Sequence, residues 1–403
     1  MILRDYQKKA VTDGKAILKK YNLLYLMWAV RTGKTATALT IAKDFDSVLF
    51  ITKKKAIGSV LSDAKALRYT DRLEVTNYES LHKLSALKWD IVIIDEAHRL
   101  GGYPKKPKSL IDIKKLKCNY HILLSGTPCP ESWSQIYHQL AVSKYSPFNN
   151  YTTFYKWAKE FVTIKKKFIA HGMQVNDYSN ANIETIKREI QNIVLTRTQK
   201  ETGFKTVIKD KILTVEMKPI TYQIANRLLK DEIVKGKSGI ILADTAVKMQ
   251  QKLHQIYSGS CKLEDNGTII IDTSKADFIK QYFKGKKIAI FYKFIAELEI
   301  LKSIFKDDIT TDIHDKSKNI AGQFLSIREG VNLKHCDALV FYNIDFSNVS
   351  YLQARDRANG LNVLESEVYF VFSKRGIEEK IYKTVTIDKQ KYNLTAFKKD
   401  YLL

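Results

Sequence analysis

The run Ile91-Val92-Ile93-Ile94, followed by Asp95-Glu96-Ala97-His98, constrains this chain more than any other stretch. Four β-branched residues in a row, entered through Trp89-Asp90, leave no polar alternation for a water-facing side, so they predict a strand covered on both faces. Such strands belong to parallel sheets flanked by helices, which sets the fold class as α/β. At the end of that strand, Asp95 is suited to hold Mg²⁺ through its waters and Glu96 to polarise an attacking water. The plain alternative is an acidic strand end before a solvated helix start, and the partners elsewhere in the chain weigh against it.

The first partner is Ala29-Val30-Arg31-Thr32-Gly33-Lys34-Thr35, between the apolar run Leu23 to Trp28 and the helical pattern Ala36 to Ala42. Strand, tight loop and helix in that order point backbone N–H groups at the β- and γ-phosphates of a nucleotide. Arg31, Thr32, Gly33, Lys34 and Thr35 are therefore candidates to bind ATP, with Lys34 as a mobile cation and the Thr35 hydroxyl on Mg²⁺. A strict G-x-x-x-x-G-K-[ST] loop wants glycine where this chain has Trp28, so the entrance is bulky while the tight end is intact.

Further segments complete the set. Gln7, in Leu3-Arg4-Asp5-Tyr6-Gln7, carries the donor and acceptor pair that matches an adenine edge. Leu123-Leu124-Ser125-Gly126-Thr127-Pro128 predicts a second buried strand ending in hydroxyls suited to sense the γ-phosphate. Ser326 to Leu333 reads as a turn, and Gln353-Ala354-Arg355-Asp356-Arg357-Ala358 as part of a helix.

In their order, these motifs resemble those of superfamily 2 helicases, within them the Swi/Snf-like DNA translocases of compact phage or bacterial type. The resemblance runs from Leu3 to about Gly360 and takes in Val75 to Leu81, Ile193 to Lys200 and Lys287 to Phe294. It implies two RecA-like parallel-sheet lobes with helical insertions, and an ATP site on the first lobe completed by Gln353 and Arg357 from the second, with Gly330 also near the nucleotide. It further implies nucleic-acid contacts at Lys53, Lys54, Lys55, Asn77, Tyr78 and Ser326. One departure stands out: the second arginine of the last motif, the family's arginine finger, is Gly360 here, which leaves Arg355 and Arg375 as substitutes.

On this reading residues 1–132 form the first lobe core, 133–218 a helical protrusion and its return, 219–258 a second protrusion, 259–386 the second lobe and 387–403 a basic tail. In the second protrusion Ile220, Ile224, Leu228, Leu229 and Ile233 recur at helical spacing. The aromatics Phe148, Tyr151, Phe154, Tyr155, Trp157 and Phe161 read as core packing ahead of base stacking.

Charge agrees with a polyanionic partner, since 67 basic against 43 acidic residues give +24. A lysine-rich proteome bias is the bland account of that excess. Cys118, Cys129, Cys261 and Cys336 show no C-x-x-C pair and read as ordinary thiols. The first residues enter the glutamine motif at once, and no run approaches the roughly 18–20 apolar residues of a membrane span. The expectation is thus a monomeric cytoplasmic protein of a bacterium or phage-infected cell, an ATP- and Mg²⁺-dependent helicase-type ATPase that moves along DNA without sequence preference, with fork or junction branch migration as its task and RNA as another substrate left open. The alternative is a nucleotide-gated DNA-binding or annealing protein with slow hydrolysis.

Overall fold

The structure, a computed structural model, describes residues 1–403 apart from 31, 70–71, 85–86, 169–173, 199, 203–206, 314, 325–332, 334, 348–350, 352–354, 356–364, 387–396, 398–399 and 402–403. The chain divides into two units, Met1–Phe204 and Lys205–Leu403.

The first unit is built on strands β1 (Leu23–Trp28), β2 (Val48–Thr52), β3 (Leu73–Asn77), β4 (Lys88–Ile94) and β5 (Lys117–Leu124). A separate antiparallel hairpin follows, β6 (Lys165–Phe168) with β7 (Gln174–Asp177), and β8 (Val194–Arg197) then returns to the sheet. The sheet order is β3-β2-β4-β5-β1-β8, with every pairing parallel. Successive side chains of a strand point to opposite faces, so an unbroken apolar run requires two cores. The first unit has both. Leu23, Tyr25, Leu49, Ile51, Val92 and Ile94 face one of them, and Leu24, Leu26, Trp28, Phe50, Ile91 and Ile93 face the other.

Helices α1 (Asp5–Tyr21) and α2 (Lys34–Ile41) cover the second face through Ala10, Leu18, Ala36, Leu39 and Ile41. The first face is covered by the segment expected to protrude. Phe148, Phe154, Trp157 and Phe161 are buried there, with Trp157 and Phe161 stacked at 5.2 Å, so these rings pack the core and are not presented to bases.

The second unit repeats the plan. Its strands are β9 (Val207–Val215), the hairpins β10 (Ile233–Gly236) with β11 (Gly239–Leu242) and β12 (Ser260–Lys262) with β13 (Thr268–Ile270), and then β14 (Ile288–Tyr292), β15 (Ile309–Thr310), β16 (Asn319–Gln323), β17 (Ala338–Phe341) and β18 (Glu365–Ser373). The sheet order is β15-β16-β14-β17-β18-β9, again parallel throughout. Ala289, Phe291, Phe341 and Phe370 face one core, and Ile288, Ile290, Val340 and Val371 the other.

One boundary expectation is corrected. Residues 207–215, placed in the return to the first lobe, form β9 and pair along their length with β18 in the second unit. The segment 219–258 packs onto that unit's core through Ala225, Leu228, Met249, Leu253 and Ile256. In its helix Pro219–Asp231 the buried face is Thr221, Ala225 and Leu228, while Ile220 is exposed and Ile233 already lies in β10. The reason is polar: the Thr221 hydroxyl donates to Asp272 at 2.8 Å and draws that face inward. Within the tail, Phe397 is fully buried in the second core.

Candidate active site

The phosphate loop leaves β1 at Trp28, and its tight end is set by Gly33 at φ 77°, the left-handed conformation that glycine takes without a Cβ clash. A Cβ at Gly33 would stand 2.4 Å from Gln7 Nε2. The loop is tied from within: Thr32 Oγ1 donates to the Ala29 carbonyl at 2.7 Å, and the Tyr6 hydroxyl to the Thr32 carbonyl at 2.8 Å. Lys34 Nζ donates to the carbonyls of Trp28 and Ala29, each at 3.0 Å. Trp28 is compatible with such a loop because its side chain, last in β1, is sent into the core beside α1 and α2, while only its carbonyl meets the lysine. The first turn of α2 then presents its N–H groups, as an anion site requires.

The acid pair sits at the end of β4. In the sheet register Ile51 lies beside Ile94 and Thr52 beside Asn77, so the C-terminal ends of β2, β3 and β4 are level. Thr52 Oγ1 donates to Asp95 Oδ2 at 2.8 Å, and the Glu96 N–H to Asp95 Oδ1 at 2.9 Å. Burial and the neighbouring Glu96 carboxylate hold the Asp95 carboxyl above the ordinary carboxylate range, against the Thr52 bond and the charge of Lys34. Burial also works against charge on Glu96, but it is outweighed by the His98 hydrogen bond and charge and by Lys53 and Lys34, which keep Glu96 below that range. Glu96 takes a left-handed backbone at φ 51°. Its side chain keeps 20% of its surface exposed, enough to meet water.

His98 connects this pair to the strand end of β5. Its Nδ1 lies 3.3 Å from Glu96 Oε2 and 3.3 Å from Ser125 Oγ, and Ser125 Oγ accepts the Thr127 N–H at 3.2 Å. Gly126 closes against the phosphate loop: a Cβ there would stand 2.9 Å from Val30 Cγ1. Loop, acid pair and Ser125-Gly126-Thr127 are therefore one continuous assembly within the first unit.

The structure treats the other expected residues unevenly. Gln7 is buried with its amide turned into the loop: Nε2 donates to the Gly33 carbonyl and Thr37 Oγ1 at 3.3 Å each, and Oε1 accepts the Arg4 N–H at 3.0 Å. It braces the loop and does not present the free edge expected for adenine. Asn77 and Tyr78 are bonded within the chain. Asn77 Oδ1 caps a short helix through the Ser80 N–H at 3.0 Å; Tyr78 is buried beneath Arg99, with its hydroxyl on the Asp95 carbonyl. Tyr78 thus shapes the acid loop, and Asn77 the short helix after β3. The lysine triplet divides, since Lys53 is half-buried and acts on Glu96 while Lys54 and Lys55 are exposed. Thr35 opens α2 and is half-buried.

In the second unit Arg355 is held by Asp210 Oδ1 at 2.7 Å and the Ile208 carbonyl at 2.8 Å, and Asp210 also takes the Tyr382 hydroxyl at 2.7 Å. Arg355 is thus a strut to β9. Arg375 is exposed after β18, 5.9 Å from the Tyr222 ring centroid. Arg31, Ser326, Gly330, Gln353, Arg357 and Gly360 lie outside the described residues. Thr52 and the role of Lys53 escaped the sequence reading. The signal was present, because Val48 to Ile51 and Ile91 to Ile94 are matching apolar runs whose next residues, Thr52 and Asp95, fall side by side.

The donor set fits Mg²⁺. A hydroxyl at the start of α2 and a buried carboxylate crowded by a second acid are hard oxygen ligands in want of a cation.

Comparison with known proteins adds the following. The SNF2-related domain matches residues 33–264. The CHD3-type chromatin-remodeling factor PICKLE of Arabidopsis thaliana is 24% identical over 366 residues, covering 82% of this chain and 26% of that protein. The chromatin structure-remodeling complex subunit snf21 of Schizosaccharomyces pombe is 22% identical over 362 residues, covering 76% and 29%. The chain thus spans less than a third of the length of these curated relatives. Among solved structures, the Sulfolobus solfataricus SWI2/SNF2 ATPase core in complex with dsDNA has a TM-score of 0.44 at 17% identity, covering 96% of this chain and 91% of that one.

Proposed function

Because the chain belongs to the SNF2-related family, whose domain takes in more than half of it, we propose that it is a DNA-dependent ATPase that moves along duplex DNA. The observation that carries this reading is the single assembly of phosphate loop, paired carboxylates and Ser125-Gly126-Thr127. The N–H groups opening α2 hold the phosphates, and Lys34 leaves the Trp28 and Ala29 carbonyls for the more strongly attracting anion. Thr35 and Asp95 would hold Mg²⁺, which neutralises charge on the phosphates when bound. Glu96, with Oε2 turned to His98, offers its other oxygen to the attacking water. Its charge is well stabilised, so it acts by orienting and polarising that water more than by taking the proton early. Ser125, in contact with His98, carries the state of the site to the strand end of β5.

DNA would be held mainly through its phosphates, by Lys54 and Lys55 among others, so binding is independent of sequence. Its proposed task is remodelling of forks or four-way junctions, by a monomer, in the cytoplasm of a bacterial or phage-infected cell. One observation favours a second reading, a nucleotide-gated clamp with slow hydrolysis: Arg355, a candidate for the position filled by Gly360, is tied to Asp210. The test is DNA-stimulated ATPase measured beside displacement of a third strand from a triplex. A motor strips the strand with ATP and loses that ability in Glu96→Gln, whereas a clamp hydrolyses ATP and leaves the triplex intact.

A further inference from the structure

Away from the acid pair, the first unit holds a second concavity of about 150 Å³, set between the helices Lys108–Ile113 and Ile136–Leu140 and the segment 146–152. Leu110, Tyr137 and Phe148 form a buried apolar floor. Lys106 and Lys114 reach it from the exposed side, with Ser146 and Thr152 beside them. Among the described residues no carboxylate lines it. Of the acids nearby in sequence, Asp112 pairs with Lys115 at 3.0 Å, and Glu160, at the rim, is bonded by the hydroxyl of the lining Tyr151 at 2.5 Å; neither is paired with Lys106 or Lys114. Burial and the charge of Lys106 hold the Lys114 ammonium below the ordinary lysine range, and His138, lowered by burial, also feels both lysines. By contrast, the lysine-lined concavity of the second unit, at Lys286, Lys287 and Lys318, contains Asp307 and Asp308 and meets its own charge.

We propose that the cavity at Lys106 and Lys114 binds a phosphate-class anion, the two ammonium groups supplying charge and Ser146 and Thr152 supplying hydroxyl donors. Two cations that form no ion pair among the described residues match an oxyanion that carries up to two negative charges better than a single carboxylate, and lysine binds phosphate as a point charge. Ser146 Oγ already accepts the Phe148 N–H at 3.2 Å, which leaves its own proton to donate. The volume holds several water-sized groups, enough for a phosphate with part of its shell. Its occupant is either a phosphate of the nucleic-acid backbone or a free phosphate or phosphomonoester.

The test uses the chain carrying Lys34→Ala, so that the phosphate loop does not report and the outcome is independent of hydrolysis. Inorganic phosphate is titrated calorimetrically, at constant ionic strength, into this protein and into the same chain with Lys106→Gln and Lys114→Gln. Saturable binding weakened at least tenfold by the double substitution is expected. Without phosphate, the melting temperature should be unchanged or raised, because the substitutions remove a like-charge pair. Duplex DNA then separates the two sources. A slope of log affinity against log salt that is shallower by about 0.9 in the double variant assigns a backbone phosphate; an unchanged slope with lost phosphate binding assigns the free ion or monoester. Equal phosphate binding by both chains, or no binding together with an unchanged slope, overturns the proposal.

Discussion

Thr52→Val tests the acid pair at a residue that touches no substrate. Thr52 is fully buried and gives Asp95 Oδ2 a hydrogen bond of 2.8 Å; valine keeps the shape and deletes the donor. A hydrogen bond to a charged group contributes roughly 1.5–3 kcal/mol, and each 1.4 kcal/mol or so is tenfold. Loss of a partner that orients a metal ligand typically costs about 10–100-fold in affinity or activity, which is the same range. The Mg²⁺ concentration giving half-maximal DNA-stimulated ATPase should therefore rise roughly 10- to 100-fold, while the rate at saturating Mg²⁺ falls much less. The pH profile should move as well. Burial and Glu96 already raise the Asp95 carboxyl, and removing Thr52 raises it further, so the acidic limb of the rate shifts to higher pH. For stability the sign is opposite to that of an ordinary ion-paired aspartate: a raised carboxyl destabilises the folded state near neutrality, and the cost is relieved as pH falls through its folded value. The variant should thus lose more stability at neutral than at acidic pH. A Mg²⁺ dependence identical to wild type, or a loss confined to the rate at saturating Mg²⁺, would refute the assignment of Thr52 to Asp95 and of Asp95 to the metal.

Lys54→Ala with Lys55→Ala should flatten the salt dependence of duplex binding by about 1.8 in slope, taking about 0.9 per phosphate, and leave DNA-free ATPase intact. Lys53→Ala should lower hydrolysis itself, because Lys53 acts on Glu96; equal effects of the three lysines on binding alone would count against the division. Arg355→Ala should destabilise the second unit by roughly 2–3 kcal/mol in denaturant unfolding, since it strips Asp210 of a charged partner, whereas Arg375→Ala should leave stability unchanged; a stable Arg355→Ala protein lacking ATPase would return that residue to the finger role. His121, fully enclosed in β5, is lowered to about 4 by burial. The unfolded chain takes up that proton below about pH 6.5 while the folded one does not, so the first unit should lose roughly 3 kcal/mol between pH 6.5 and 4, a slope that His121→Gln should remove and hydrogen exchange of β5 can follow. Glu96→Gly should abolish hydrolysis yet leave stability equal or higher, because the left-handed backbone at Glu96 costs a non-glycine residue roughly 1–2 kcal/mol; a clear loss of stability would mean that the His98 contact outweighs that strain.

The two sheets were legible because central strands such as β1, β2, β14 and β17 are apolar almost throughout, and continuous apolar runs have few solutions other than burial between two layers. Trp28 shows where a motif rule gives way to geometry: the rule asks for glycine, but a strand end that points its ring into the core leaves only a carbonyl at the loop. What stayed illegible depends on polar partners distant in sequence. Thr221 is buried because Asp272 accepts its hydroxyl, and apolar periodicity cannot register that. β9 contains Lys209-Asp210-Lys211, which reads as a surface stretch until Asp210 meets Arg355 and Tyr382.

The same reasoning explains why Asn77, Tyr78 and Gln7, expected at a ligand, are also bonded within the chain. A strand end in a parallel sheet offers few positions that face outward, and the chain uses the adjacent ones to fix the loops that do. Tyr78 holds the carbonyl of Asp95, Thr52 its carboxylate, and the carboxylate in turn takes the Glu96 N–H. These bonds fix the turn at which Glu96 adopts φ 51° and swings its side chain toward His98. A backbone strained at the residue proposed to activate water persists only where its surroundings over-determine it. Here the over-determination comes from Tyr78, Thr52 and the Glu96 N–H, so at Tyr78 a motif position that suggested contact with DNA is also part of the scaffold of the acid pair.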